Sequence, residues 1–92
     1  MSEYIEVFSE NTDDPAILLI RTNLQLAEED LEEYLTTQDM EEGSALAQAI
    51  APVEGVLRLR IEEYNLTVWR DLDVPWHLIA AEITVALKEF FL

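Results

Sequence analysis

The 92-residue chain has no cysteine, two glycines and only five basic residues against 20 acidic ones. Without cysteine there is no disulfide framework, no thiolate nucleophile and no cysteine-held zinc or iron–sulfur cluster. With only Gly43 and Gly55, no glycine-rich loop is available to cradle a phosphate. The shortage of lysine and arginine leaves a net charge of −15, which argues against phosphate backbones and anionic membrane surfaces as partners. Long apolar runs are missing too. The longest, Ala16 to Ile20, falls far short of the ~20 residues that span a bilayer. The start, Met1-Ser2-Glu3-Tyr4, has no basic n-region, so a cytoplasmic protein is expected.

What is present suffices for one small core. Half the residues are hydrophobic, and a chain of this size buries roughly 60 to 65% of its unfolded surface, which fits a single domain over residues 1–92. Charge is uneven. Residues 1–54 hold 14 acids against Arg21 alone, whereas residues 55–92 hold 6 acids against Arg58, Arg60, Arg70 and Lys88. A charge run is usually a solvated face, although such asymmetry also suits an interaction surface.

Tyr4 to Phe8 reads as a strand, Ser9 to Pro15 as a loop, and Ala16 to Arg21 as a second strand that lies inside a sheet because it does not alternate. Asp30 to Leu35 is read either as a helical turn or as a short edge strand. Thr37 suits the N-cap of a turn through Met40, Gly43 suits a stop, and Ser44 caps a short helix over Ala45 to Ala51 that Pro52 ends.

Val56 to Ile61 alternates, Glu62-Glu63 turns, and Tyr64 to Trp69 returns. This register opposes Ile61 to Tyr64, Leu59 to Leu66 and Leu57 to Val68 on a core face. Arg60, Arg58 and Trp69 fall on a wet one. Two glutamates are poor for a tight primed turn, so a longer loop with Asn65 at positive φ is the alternative. Asp73 can cap a last helix, Pro75 suits its first turn, and Trp76, Ile79, Ala80, Ile83, Leu87 and Phe90 make an apolar stripe. The order ββ-α-ββ-α predicts an α+β fold, with a small antiparallel sheet of about four strands and helices on one face.

Little in this inventory suggests catalysis. The acids Glu28, Glu29, Asp30, Glu32 and Glu33 lack the spacing and central glycine of a calcium loop, and they occur in an exposed run rather than in a pocket that would raise a pKa. His77 has no serine or histidine companion at a recognisable spacing. No enzyme activity, metal or cofactor is expected. Trp69 beside Arg58 and Arg60 has the composition of a protein-binding hot spot; equally, it could pack on the arginine stems or close the sheet edge. Trp76, on the core side of its helix, is read as structural.

Several strings converge on one family. Thr12-Asp13-Asp14-Pro15-Ala16-Ile17-Leu18-Leu19-Ile20 resembles the T-P-N-P-x-x-L-K-F string that opens the N-terminal domain of Nfu/NifU-type iron–sulfur scaffold proteins. Ser44 to Ile50, followed by Val53-Glu54-Gly55-Val56, is similar to its S-P-L-A-x-x-L-F-x-I-x-G-V. Leu66-Thr67-Val68 resembles its I-T-V strand, and Trp76, Leu78, Ile83 and Phe90 follow the spaced apolar positions of its last helix. The resemblance covers roughly residues 4–92. It departs at Asp14 for asparagine, Leu19 for lysine, Ile20 for phenylalanine, Ala45 for proline, and Glu62-Glu63 for a glycine-containing turn.

In two-domain members such a domain precedes one whose C-x-x-C motif holds a [4Fe–4S] cluster, a role that no residue of this chain can take. The resemblance therefore implies an accessory, non-catalytic adaptor in iron–sulfur cluster assembly or delivery. Its partner would be a scaffold or client protein, met through Thr12, Asp14, Pro15, Ser44, Gln48, Arg58 and Trp69. The alternative is an acidic decoy or regulator that occupies a basic groove on a protein target. Oligomeric state and partner identity are not legible.

Overall fold

The structure, a computed structural model, describes residues 5–27 and 31–91. Strands β1 (Val7–Asn11) and β2 (Ile17–Thr22) form a hairpin, and β3 (Leu31–Tyr34) follows. Helices α1 (Thr37–Glu41) and α2 (Ala45–Ile50) come next, then the hairpin β4 (Val56–Glu62) and β5 (Asn65–Arg70), and finally α3 (Trp76–Phe91). The sheet has five strands in the order β1-β2-β5-β4-β3, with antiparallel pairing throughout. The α+β class agrees with expectation. The strand count rises from about four to five because Leu31–Tyr34 takes the edge-strand alternative, pairing Glu32 with Ile61 and Tyr34 with Leu59.

Alternation in β2, β4 and β5 sends Leu18, Ile20, Leu59, Ile61, Leu66 and Val68 to one face, all fully buried. On that face they meet Met40 of α1, Leu46 and Ile50 of α2, and Ile79, Ile83 and Leu87 of α3 in one core. These helices are short or amphipathic, so packing rather than propensity holds them. The caps are local. Thr36 rather than Thr37 starts α1, its hydroxyl accepting from the Asp39 N–H at 3.1 Å, and Ser44 caps α2 through the Ala47 N–H at 3.3 Å. Gly55 sits at φ +94°, where a Cβ would come within 2.8 Å of Ile79 Cδ1 and 2.9 Å of Val74 Cβ. Both the backbone angle and the space there require glycine.

Three further expectations need correction. The first strand lies at Val7–Asn11, not Tyr4–Phe8, because Ser9, Glu10 and Asn11 pair with Ile20, Leu19 and Leu18 once the loop has closed beyond them; Tyr4 lies outside the described residues. The β4–β5 register is two residues off the expected one. Ile61 opposes Leu66 and Leu59 opposes Val68, leaving Glu63 and Tyr64 between the strands, and Asn65 has no positive φ. A two-residue shift preserves the faces of β5. An irregularity between Val56 and Arg58 does not preserve those of β4: it buries Val56 and leaves Leu57 53% exposed. Finally, Phe90 stays 42% exposed while Phe91 packs against the core.

Candidate functional site

Helices cover only one side of the sheet. On the other, neighbouring strands line up three cross-strand rows. Phe8 faces Arg21 and Arg21 faces Asn65; Glu10, Leu19, Thr67, Arg60 and Glu33 follow in a second row; Ile17, Trp69 and Arg58 form the third. Ile17, Leu19, Thr67 and Trp69 are half-buried, and Phe8 is 59% exposed. Neighbouring side chains shield these residues, but among the described residues no second layer covers them.

Trp69 stands in the last of these rows, on the central strand pair β5–β4 at the end of the sheet nearest the β1–β2 loop. Arg58, its direct cross-strand partner, lies with its guanidinium carbon 4.4 Å from the ring centroid. The same guanidinium approaches Glu33 Oε2 at 3.9 Å, and Arg60 donates to Glu33 Oε1 at 3.1 Å. One carboxylate thus holds two arginines flat against the sheet. The Arg60 Nε–H is shielded from solvent without a hydrogen-bond partner, so this guanidinium is anchored by its outer end. Across the sheet, Arg21 pairs with Glu10 at 3.4 Å. Three of the five basic residues therefore lie on this face, Arg21 paired with Glu10 and Arg58 and Arg60 with Glu33, and Glu62 shares the face by its alternation in β4. A body of net charge −15 carries one face that is close to neutral.

The remaining candidates fall into two groups. Thr12, Asp14 and Pro15 form the β1–β2 loop, at the end of the sheet where Ile17 meets Trp69. Their chemistry is spent inside the loop. The Thr12 hydroxyl accepts from the Asp14 N–H at 3.2 Å and lies 3.0 Å from the Ile17 carbonyl; Asp14 Oδ1 accepts from the Ala16 N–H at 2.9 Å; the Asp14 carbonyl takes the Ile17 N–H at 3.0 Å across Pro15. Ser44 and Gln48 belong to α2, on the helix-covered side. Ser44 is engaged in its cap and in the Tyr34 hydroxyl, and Gln48 Nε2 donates to the Gly43 carbonyl at 3.0 Å. The structure brings Arg58, Trp69 and the Thr12–Pro15 loop to one region and leaves Ser44 and Gln48 in another.

Sequence reasoning missed Phe8, Ile17 and Leu19. The signal was the unbroken apolar run of β2, which shows that its second face is not fully wet. Of the acidic run, residues 28–30 lie outside the described residues, while Glu32 accepts from the Tyr34 hydroxyl at 2.6 Å and Glu33 holds the arginines. Among the described residues no three metal-ligating side chains converge, and no helix is long and apolar enough to cross a membrane. His77 sits exposed at the start of α3, edge-on to Trp76 at 5.8 Å. Trp76 itself packs against the core.

The fold defines a small α+β domain in which one side of an antiparallel sheet is layered with helices and the other, among the described residues, carries no second layer. The chain belongs to the family described as the scaffold protein Nfu/NifU N terminal, which matches residues 7–92. That family is tied to iron–sulfur cluster assembly. The solution structure of a NifU-like protein from Saccharomyces cerevisiae is similar over 97% of this chain and 82% of that one, with a TM-score of 0.77 and 26% identity. A crystal structure of a Staphylococcus aureus protein shares the fold at a TM-score of 0.70 and 18% identity, over 89% of this chain and 98% of that one. No curated protein matches the chain.

Proposed function

We propose that this domain is a non-catalytic docking module of iron–sulfur cluster assembly, and that it receives a scaffold or client protein on its open sheet face. The observation that carries the reading is the Trp69–Arg58 stack on a charge-compensated face of an otherwise acidic body. A tryptophan and arginines on a rigid sheet give a large contact area at low entropic cost, which is the composition of binding hot spots. Charge compensation matters as much. A partner approaching here does not face the repulsion that the rest of the molecule offers to acidic proteins. Phe8, Ile17 and Leu19 extend the apolar part of the contact, and the Thr12–Pro15 loop forms its rim. Membership of a scaffold family related to iron–sulfur cluster assembly supports this partner class.

The test is a titration of a purified C-x-x-C scaffold protein, and of an iron–sulfur client, against the wild type and Trp69→Ala at low and at physiological salt. Trp69→Ala should weaken binding by about tenfold or more while the melting transition stays cooperative. The wild-type affinity should change little with salt. Affinity that falls steeply with salt and ignores Trp69 would mean that the acids form the contact, as a decoy of a basic groove requires. Unchanged affinity without salt dependence, or a collapsed melting transition in Trp69→Ala, would remove this face from the reading.

A further inference from the structure

On the opposite side of the molecule, α3 carries a second apolar stripe that the core does not use. Ile79, Ile83 and Leu87 point into the core, whereas Leu78, Ala81 and Val85 run along a different face at three- and four-residue steps. Leu78 is 52% and Val85 54% exposed. Beside this stripe α2 and the turn after it stand close, and their small residues leave a groove of about 370 Å³ floored by Ala49, Pro52 and Val53. Glu82 and Glu89 line the same groove from α3. They are seven residues apart, two helical turns or roughly 10.5 Å along the axis. The apolar positions 78, 81 and 85 keep the seam spacing of a helix that packs against another helix, and the two glutamates occupy flanking positions of that seam.

We infer that this groove receives an amphipathic partner helix whose apolar seam is flanked by lysine or arginine seven residues apart. Charge complementarity selects this occupant. The charged side chains lining the groove, Glu82 and Glu89, are both acidic, and α2 contributes no charge. A second copy of the chain would bring a net charge of −15 against −15, and two copies of the same stripe would set glutamate seams together, so self-association through this face is disfavoured. Repeated basic residues in register with Glu82 and Glu89 would fix the direction and register of the incoming helix, as flanking charges do in coiled coils. This surface is separate from the sheet face and does not depend on it.

The probe is a helical peptide of about 21 residues with leucine in the seam and lysine flanking it at seven-residue spacing, compared with a twin carrying glutamate in place of lysine. Calorimetry gives stoichiometry and affinity, and amide chemical shifts locate the peptide. The lysine peptide should bind one to one, with shifts confined to α2, α3 and the turn at Pro52, and the glutamate twin should not bind. Glu82→Gln with Glu89→Gln should weaken it about threefold to tenfold, and Val85→Asp by more than about tenfold. Asp13→Asn with Glu41→Gln removes equal charge elsewhere and should change affinity by less than about twofold. Equal weakening by both charge pairs, equal binding of the twin peptides, shifts mapping elsewhere, or self-association lost on Val85→Asp would each overturn the inference. All these substitutions are on exposed positions, and a melting curve for each confirms that the fold is retained.

Discussion

On the inner face of the sheet Leu18, Ile20, Leu59, Ile61, Leu66 and Val68 are fully buried, while their chain neighbours on the outer face, Ile17, Leu19, Thr67 and Trp69, are half-buried among arginines and glutamates. The same strands supply both. The inner face meets α1, α2 and α3, so each apolar side chain there leaves water completely. The outer face shields its apolar groups only with long side chains, Arg58 over Trp69 being the clearest instance. Burial is thus complete on one side of a single layer and partial on the other. Substitution at matched positions should separate the two.

The largest effect belongs to the inner face. Leu66 is buried in β5 between Ile20 and Ile61, and Leu66→Ala removes its methyl groups from a layer clamped by strands on both sides. The expected loss is about 2–5 kcal/mol, read from the shift of the urea midpoint. A loss near that of a surface site would mean that the helices do not close over the strand.

How much of this division could be read from the residues follows from what alternation encodes. It fixes parity, so Leu59, Ile61, Leu66 and Val68 read as inward, and Arg58, Arg60 and Trp69 as outward, even in a hairpin register two residues off the observed one. Alternation does not encode a bulge, and nothing in Val56-Leu57-Arg58 marks the irregularity that turns Val56 inward and Leu57 outward. The edge strand β3 was ambiguous because Leu31-Glu32-Glu33-Tyr34 is only four residues long and half acidic. Its strand character comes from pairing with β4, a long-range event. Thr12, Asp14 and Ser44 stood out as motif residues, and each has a local duty: two organise a tight loop and one caps a helix. The Trp69–Arg58 neighbourhood is legible from parity alone, and the unbroken run of β2 marks a strand at least partly covered on both sides, as its half-buried Ile17 and Leu19 are, without saying which residues share their face.

An intermediate effect tests that last point. Leu19 lies on the outer face opposite Thr67 and Glu10, half-buried. Leu19→Ala should cost about 1 kcal/mol of stability, well below the inner-face value, because part of the side chain is already in water. Equilibrium unfolding of Leu19→Ala and Leu66→Ala under the same conditions gives the ratio directly. Near-equal losses would mean that the outer face is a second core and not an open surface.

The smallest effect falls on the charges that hold the outer face in shape. Glu33 is the shared carboxylate of Arg58 and Arg60, and both of its contacts are more than a third exposed to solvent. Pairs of this kind contribute little, because water screens the attraction and the long side chains lose freedom in making it. Glu33→Gln should therefore lower stability by no more than about 1 kcal/mol in low salt, and by less at physiological ionic strength, where the Debye length is about 8 Å. The structural consequence should exceed the energetic one. Without the carboxylate Arg60 loses its anchor and Arg58 keeps only the indole, so the Trp69 environment should change while the melting temperature barely does. Tryptophan fluorescence, with the buried-side Trp76 as internal reference, separates the two. A spectrum identical to wild type would show that Trp69 alone orders Arg58, and a large drop in stability would show that the arginines, not the helices, keep this side of the sheet out of water.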